Sequence, residues 1–121
     1  MTPEGKIKVA ISRVLAEAGT YKHMAIGSPY GRITLDFDVS CQGLYAAIEA
    51  KGTPDDHPTP RQTVIMREIV AKGGCLFLID SLDGPDMKEL IQWVSSPTRK
   101  FVSTSAAAWL EKHPREQRLH D

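Results

Sequence analysis

The chain has 121 residues and a mass of 13.4 kDa, enough for one folded domain and too little for two. Apolar residues make up 41% and charged residues 25%, a balance that excludes an intrinsically disordered or low-complexity chain. Fifteen basic and fifteen acidic residues cancel, so the net charge does not by itself indicate a nucleic-acid partner.

The first half of the chain predicts one helix followed by three strands. Thr2-Pro3-Glu4 is typical of a helix start, because a hydroxyl caps the end, proline takes the first position and an acid lies near the positive dipole. Apolar residues then recur at helical spacing until Gly19. A turn at Gln42-Gly43 predicts a hairpin made by the second and third strands. The predicted strands are residues 20–26, 33–41 and 44–51.

The second half of the chain predicts a helix, a strand and two more helices. Thr59-Pro60 repeats the helix-start pattern and opens a helix that ends at Gly73-Gly74. Residues 75–79 form a continuous apolar run, typical of a strand buried on both faces. The last helices are predicted over 85–94 and 103–112. This order of elements favours a single α/β domain.

No apolar run reaches the roughly 18 residues that a membrane-spanning helix needs. Residues 1–6 also lack the basic-then-apolar order of a signal peptide. We therefore expect a cytoplasmic protein without a membrane partner. Cys41 and Cys75 are too few for a disulfide scaffold, and we expect them as thiols.

The hairpin has an informative register. A two-residue turn at Gln42-Gly43 makes each pair of facing residue numbers sum to 85. One face is then wholly apolar and is expected on the core, with the pairs Val39–Ala46, Phe37–Ile48 and Leu35–Ala50. The other face places Asp36 opposite Glu49, with Lys51 two residues beyond. Like charges opposite each other destabilise a sheet.

The charges on that second face do not balance. Asp38 adds a third carboxylate, and Lys51 is the only cation expected there. A divalent ion such as Mg²⁺ takes carboxylate oxygens and would neutralise the repulsion. The pattern therefore indicates a metal site, with an exposed acidic face tolerated by solvent as the alternative.

Together with the residues around them, these positions resemble the small VRR-NUC members of the PD-(D/E)XK nuclease superfamily. The resemblance covers about residues 2–79 and departs at Leu35, where the family often has proline. It implies a restriction-endonuclease-like αβββαβ core, a mixed sheet flanked by helices, over about residues 2–80 of a single domain spanning 1–121. Residues 81–121 would add a C-terminal helical extension. The matching pieces are Glu4, Tyr30-Gly31-Arg32, Asp36, Ala47-Ile48-Glu49-Ala50-Lys51, Pro58-Thr59-Pro60-Arg61-Gln62 and Gly73-Gly74.

By this resemblance the chain is a deoxyribonuclease that depends on Mg²⁺ or Mn²⁺ and hydrolyses DNA phosphodiester bonds. Asp36, Glu49 and the backbone carbonyl of Ala50 would hold the metal. Lys51 would orient or help deprotonate the attacking water. Two further catalytic residues, Glu4 and Gln62, would support the site from the two helices. Weaker candidates for nucleic-acid contacts are Tyr30, Arg32, Lys6 and Arg61.

The resemblance also implies a homodimer that acts on flapped, branched or four-way-junction DNA in a bacterial or phage-infected cell. The alternatives are a non-catalytic nucleic-acid-binding module on the same fold and a protein-interaction subunit, each within a replication or repair assembly. We interpret Trp93 and Trp109 as packing residues or dimer contacts, and His57 as an exposed loop residue.

Overall fold

The computed structural model describes residues 1–25 and 34–114. Its elements follow the predicted order of helix, three strands, helix, strand and two helices. The helices are α1 (Pro3–Glu17), α2 (Pro60–Ala71), α3 (Pro85–Ser95) and α4 (Thr104–Lys112). The strands are β1 (Tyr21–Met24), β2 (Phe37–Cys41), β3 (Leu44–Ala50) and β4 (Cys75–Ile79).

The helices that flank the site begin where their capping residues predict. Thr2 accepts a hydrogen bond from the Gly5 N–H at the start of α1. At the start of α2, Thr59 Oγ1 accepts from the Gln62 N–H, and Gln62 Oε1 accepts from the Thr59 N–H. This reciprocal pair is a capping box, and it fixes the Gln62 side chain on the first turn of α2.

The sheet is mixed, with the strands in the spatial order β1-β2-β3-β4. The first three strands pair antiparallel, and β4 pairs parallel to β3 after the α2 crossover. Gln42 and Gly43 both have positive φ angles, 51° and 84°, as a tight hairpin turn requires. The register between Phe37–Ile48 and Cys41–Leu44 is the predicted one.

Helices cover both faces of the sheet. One apolar cluster joins Ile11 of α1 and Leu90 of α3 to Phe37 and Ile48 of the sheet. A second cluster on the other face joins Met66 of α2 and Ala106 of α4 to Ala47. The face of β3 that carries Ala47 and Glu49 is therefore an interior face, and the expectation of an exposed acidic face is wrong for Glu49, which is 1% exposed.

The position of Leu35 differs from its prediction. Leu35 was expected beside Ala50 on the first apolar face, but it packs with Ala47 and Met66 in the second cluster. The ladder between β2 and β3 ends at Phe37, and residues 34–36 precede β2. Since side chains alternate only along a regular strand, the two-residue period does not extend to Leu35.

The two C-terminal helices are anchored to β4 and to each other. Trp93 of α3 packs edge-to-face on Phe77, with ring centroids 5.6 Å apart. Ser103, just before α4, accepts a hydrogen bond from the Leu78 N–H at its side-chain oxygen. Asp86 of α3 accepts from the backbone and the hydroxyl of Ser105. Within the described residues, no helix is both long enough and apolar enough to span a bilayer.

Candidate functional site

The candidate site lies at the edge of the sheet where β2 begins and β3 ends. Asp36 directly precedes β2, and Glu49 is the penultimate residue of β3. Because these strands are antiparallel, the two residues meet at the same edge. Each is only 1% exposed. A buried carboxylate is costly without partners, so the contacts at this edge decide what it can do.

Asp36 and Glu49 are connected through the main chain. The Asp36 N–H donates to Oε1 of Glu49 at 3.2 Å. The Ala50 N–H donates to Oδ2 of Asp36 at 2.9 Å. Each side chain therefore binds the backbone of the opposite segment, at the point where the regular ladder has ended. The sequence predicted the proximity of the two acids but not this exchange.

Gln62 links Glu49 to Lys51. Its Nε2 donates to Oε2 of Glu49 at 2.9 Å, and its Oε1 accepts from Nζ of Lys51 at 2.9 Å. The Lys51 ammonium is also 3.4 Å from Oε2 of Glu49. Because the Thr59 N–H also donates to Oε1 of Gln62, the amide has a fixed orientation. The predicted residues Glu49, Lys51 and Gln62 thus form one hydrogen-bonded group.

Glu4 reaches this site through Lys8, to which sequence analysis assigned no role at the metal site. Nζ of Lys8 lies 3.1 Å from Oε2 of Glu4 and 3.4 Å from Oδ1 of Asp36. Burial by itself lowers the pKa of Lys8, but the carboxylates of Asp36 and Glu4 outweigh burial, so its pKa is raised. The four-residue spacing of Glu4 and Lys8 on α1 was the available signal for this pair.

Two further corrections follow from these contacts. Lys51 is not the only cation, because α1 supplies Lys8 from the other side of the sheet edge. Asp38 does not join the cluster; its Oδ1 accepts from the Tyr45 hydroxyl at 2.6 Å, and its Oδ2 is 3.9 Å from Nδ1 of His23. The first acid of the candidate site is therefore Asp36.

The fold of this chain is similar to that of one solved structure. No protein-family model and no curated protein matches the chain. A solved structure described as "VRR_NUC domain" superposes with a TM-score of 0.63 at 16% sequence identity, over 81% of this chain and 100% of that chain. The chain has the fold of a VRR_NUC domain. This confirms the predicted architecture, a mixed sheet flanked by helices.

The oxygen donors at this edge are of the kind that a hard divalent cation prefers. Asp36 and Glu49 present carboxylate oxygens beside the main chain of Ala50, and Mg²⁺ is commonly held by one or two carboxylates while it keeps several waters. Among residues 1–25 and 34–114, no three His, Cys, Asp or Glu side chains are grouped closely enough to hold an ion. The Lys8 ammonium lies between Glu4 and Asp36, within 3.4 Å of a carboxylate oxygen of each.

A close approach of α1 to the end of β3 brings Glu4 to this edge. Gly52 follows Lys51, and a Cβ atom at position 52 would lie 3.3 Å from the backbone nitrogen of Glu4. That distance is tighter than ordinary packing, so a side chain at position 52 would press α1 away from the site.

The weaker nucleic-acid candidates lie around this edge or outside the described part of the chain. Lys6 borders a cavity of about 450 Å³ that the Gly52 loop also lines. Arg61 is an exposed residue of α2 that directly precedes Gln62. Tyr30 and Arg32 lie outside the described residues.

Proposed function

We propose that this chain is a metal-dependent nuclease that hydrolyses DNA phosphodiester bonds. The observation that carries the proposal is the hydrogen-bonded group of Glu49, Gln62 and Lys51 beside Asp36, at the open end of a hairpin with a VRR_NUC fold. The group combines two buried carboxylates with an oriented ammonium, and this combination suits hydrolysis of a phosphodiester assisted by a divalent cation.

Asp36, Glu49 and the Ala50 carbonyl are the residues that we assign to Mg²⁺ or Mn²⁺. When bound, such an ion supplies positive charge to the phosphoryl oxygens and lowers the pKa of the water it coordinates. The protein's part is to keep the two carboxylates in place. The Asp36 and Ala50 N–H groups and the Gln62 amide do this by direct hydrogen bonds.

Lys51 is assigned to the attacking water and to the phosphate. Its ammonium donates to Oε1 of Gln62 and lies 3.4 Å from Oε2 of Glu49. We assign a remaining N–H donor of the ammonium to a phosphoryl oxygen or to the water, where its positive charge offsets the more negative transition state. Gln62 acts as a positioning residue, because it holds both Lys51 and Glu49. Glu4 would reach a bound ion from α1.

The proposed substrate is branched or flapped DNA, cleaved by a homodimer. A 13.4 kDa chain offers little surface for gripping a branched substrate alone, and two-fold symmetry would present two sites to two strands. The outermost strand of the described sheet, β1, carries the exposed side chains of Tyr21 and Met24, which suits contact with a second copy. Lys6 and Arg61 are assigned to phosphate contacts.

The proposal is tested by incubating labelled duplex, flap and four-way-junction DNA with the protein and Mg²⁺ or Mn²⁺. Wild type should cleave at least one of these substrates, and the cleavage should disappear in EDTA. Glu49→Gln should abolish cleavage, since it removes a metal ligand with little change in volume. Glu68→Gln makes the same change on an exposed position of α2 and should cleave like wild type.

Absence of cleavage that depends on both Glu49 and metal would overturn the nuclease proposal. Salt-sensitive DNA binding without any cleavage would then favour the non-catalytic module, because phosphate contacts alone produce a steep salt dependence. Absence of both activities would favour a protein-interaction subunit.

A further inference from the structure

A second cavity lies beside the candidate site and is lined by aromatic rings. It has a volume of about 400 Å³ and opens between the loop after β3, the end of β4 and helix α4. Cavities of this size hold small organic ligands in other proteins. The lining side chains that matter here are His57, Trp109, His113, Asp56, Asp80 and Lys112.

The strand register places this cavity next to the proposed catalytic groups. Leu78, which lines the cavity, is the partner of Glu49 in the parallel register of β3 and β4. Paired residues of neighbouring strands point to the same face and lie about 4.8 Å apart. Lys51 donates its N–H to the carbonyl of Ile79 at 2.9 Å, and Asp80 of the cavity follows directly. The cavity and Glu49 therefore share one face of the sheet on adjacent strands.

Helix α2, which carries Gln62, fixes the positions of Trp109 and His113 by hydrogen bonds. Trp109 donates its indole N–H to Oγ1 of Thr63 at 2.9 Å, and Thr63 is the next residue after Gln62. The ring of Trp109 stacks on His113 at 3.7 Å between centroids, and the ring of His57 lies 5.2 Å away. Arg67 of α2 donates to the backbone carbonyl of His113. The aromatic wall is thus fixed relative to the candidate site.

The lining chemistry matches a heterocyclic base. Aromatic rings stack on the flat face of any nucleobase, independently of sequence. Carboxylates such as those of Asp56 and Asp80 can accept hydrogen bonds from amino groups on a base edge, and an ammonium such as that of Lys112 can donate to a base carbonyl. In a duplex these faces and edges are covered by stacking and pairing, so a base can enter such a cavity only when it is unpaired.

Resting on the proposed function, we infer that this cavity binds the base of an unpaired nucleotide adjacent to the phosphodiester that is cut. A flap or a branch point supplies such a nucleotide, whereas a continuous duplex does not. Trp109 then has a role beyond the packing expected from the sequence, and His57 has a role beyond that of an exposed loop residue. The site would contribute substrate selection in addition to affinity.

The first experiment uses Trp109 as a reporter in EDTA, where no metal-dependent cleavage occurs. Trp93→Phe leaves Trp109 as the single tryptophan, because the chain has two. Its fluorescence should change when a short single-stranded DNA is added. It should not change with a closed hairpin duplex, and it should respond less to a strand of the same length that lacks bases.

The second experiment measures affinity for fluorescently labelled DNA and needs no cleavage. Trp109→Leu and His57→Ala should each weaken single-strand binding by about 5- to 150-fold, the range given by losing one base–aromatic stack. Duplex binding should stay as in wild type. Trp109→Phe keeps a ring and should retain most of the affinity. His23→Ala removes an exposed histidine from β1 and is the matched control for His57→Ala.

Some outcomes separate this inference from the nuclease proposal. If single-stranded DNA binds without a Trp109 response, and Trp109→Leu and His57→Ala bind it as wild type does, the base site is wrong. Metal-dependent cleavage that still requires Glu49 would leave the nuclease proposal intact in that case. If the protein binds no single-stranded DNA, the base site is overturned, and the cleavage assay on duplex, flap and junction DNA still decides the nuclease proposal on its own.

Discussion

The ammonium of Lys8 lies 3.4 Å from Oδ1 of Asp36, so a side chain of the first helix contacts the carboxylate at the start of β2. Glu4 lies on the other side of the same ammonium, at 3.1 Å. Lys8 therefore neutralises two carboxylates that a divalent cation would also use. A cation bound at Oδ1 of Asp36 would displace this contact.

Lys8→Met should tighten Mn²⁺ binding by about 10-fold, because an ammonium–carboxylate contact worth about 1 to 4 kcal/mol no longer competes with the ion. The melting temperature without metal should fall, since Asp36 and Glu4 lose their counter-charge. Calorimetric titration with Mn²⁺ and thermal unfolding measure the two effects. Lys88→Met makes the same change at an exposed position of α3 and should alter neither. Unchanged or weaker Mn²⁺ binding in Lys8→Met contradicts this competition.

Gln62→Leu should lower the cleavage rate by about 10- to 100-fold, the usual effect of removing a side chain that orients metal ligands. It also removes half of the capping box, so the free energy of unfolding should fall. Thr59→Ala separates the two effects. It removes the capping hydroxyl but leaves the Gln62 side chain bonded to Glu49 and Lys51, so stability should fall while the cleavage rate is retained. Equal loss of cleavage in both variants would show that Gln62 acts only through the helix.

Gly52→Ala should weaken the site through the position of α1. The added Cβ would lie 3.3 Å from the Glu4 nitrogen and 3.6 Å from Cβ of Pro3, so the helix has to shift by a few tenths of an ångström. We expect a lower melting temperature and weaker Mn²⁺ binding than in wild type. A variant that binds Mn²⁺ normally despite its lower stability would show that Glu4 does not approach the metal.

Asp80 makes stability depend on pH. Burial, and then the nearby carboxylate of Asp86, raise the pKa of Asp80 above its ordinary value. The Asp80 carboxyl therefore loses its proton at a lower pH in the unfolded chain than in the folded protein. As a result, the free energy of unfolding falls as the pH rises from about 4 through the raised pKa. Asp80→Asn should raise the melting temperature at pH 7, with the difference vanishing near pH ~3. Asp83→Asn, on the exposed loop nearby, is the control; an equal effect there would rule out the Asp80 explanation.

Local signals in the sequence predicted most of the fold. Gln42-Gly43 determined the turn and thereby the register of the hairpin, because both residues adopt the positive φ angles of a tight turn. The Thr59-Pro60 start placed Gln62 on the first turn of α2, from which its amide reaches Glu49 and Lys51. Capping, turn chemistry and periodicity act over a few residues, so the sequence reveals them directly.

The features that sequence analysis missed depend on contacts between distant segments. Leu35 changes faces because the chain leaves the ladder before Phe37, and no residue type marks that point. Lys8 reaches Asp36 only because α1 packs against the sheet with Glu4 at its open edge. The aromatic cavity requires the loop after β3 to meet α4, which brings His57 to Trp109. Each of these depends on tertiary packing.

Anomalous diffraction from crystals grown with Mn²⁺ tests the candidate metal site most directly. We predict a peak within coordination distance of the Asp36 and Glu49 carboxylates and the Ala50 carbonyl, with the Lys8 ammonium withdrawn from Asp36. The same crystals of Glu49→Gln should lack the peak. A wild-type crystal without a peak at these residues, with Lys8 still against Asp36, would contradict the metal site and the nuclease proposal that depends on it.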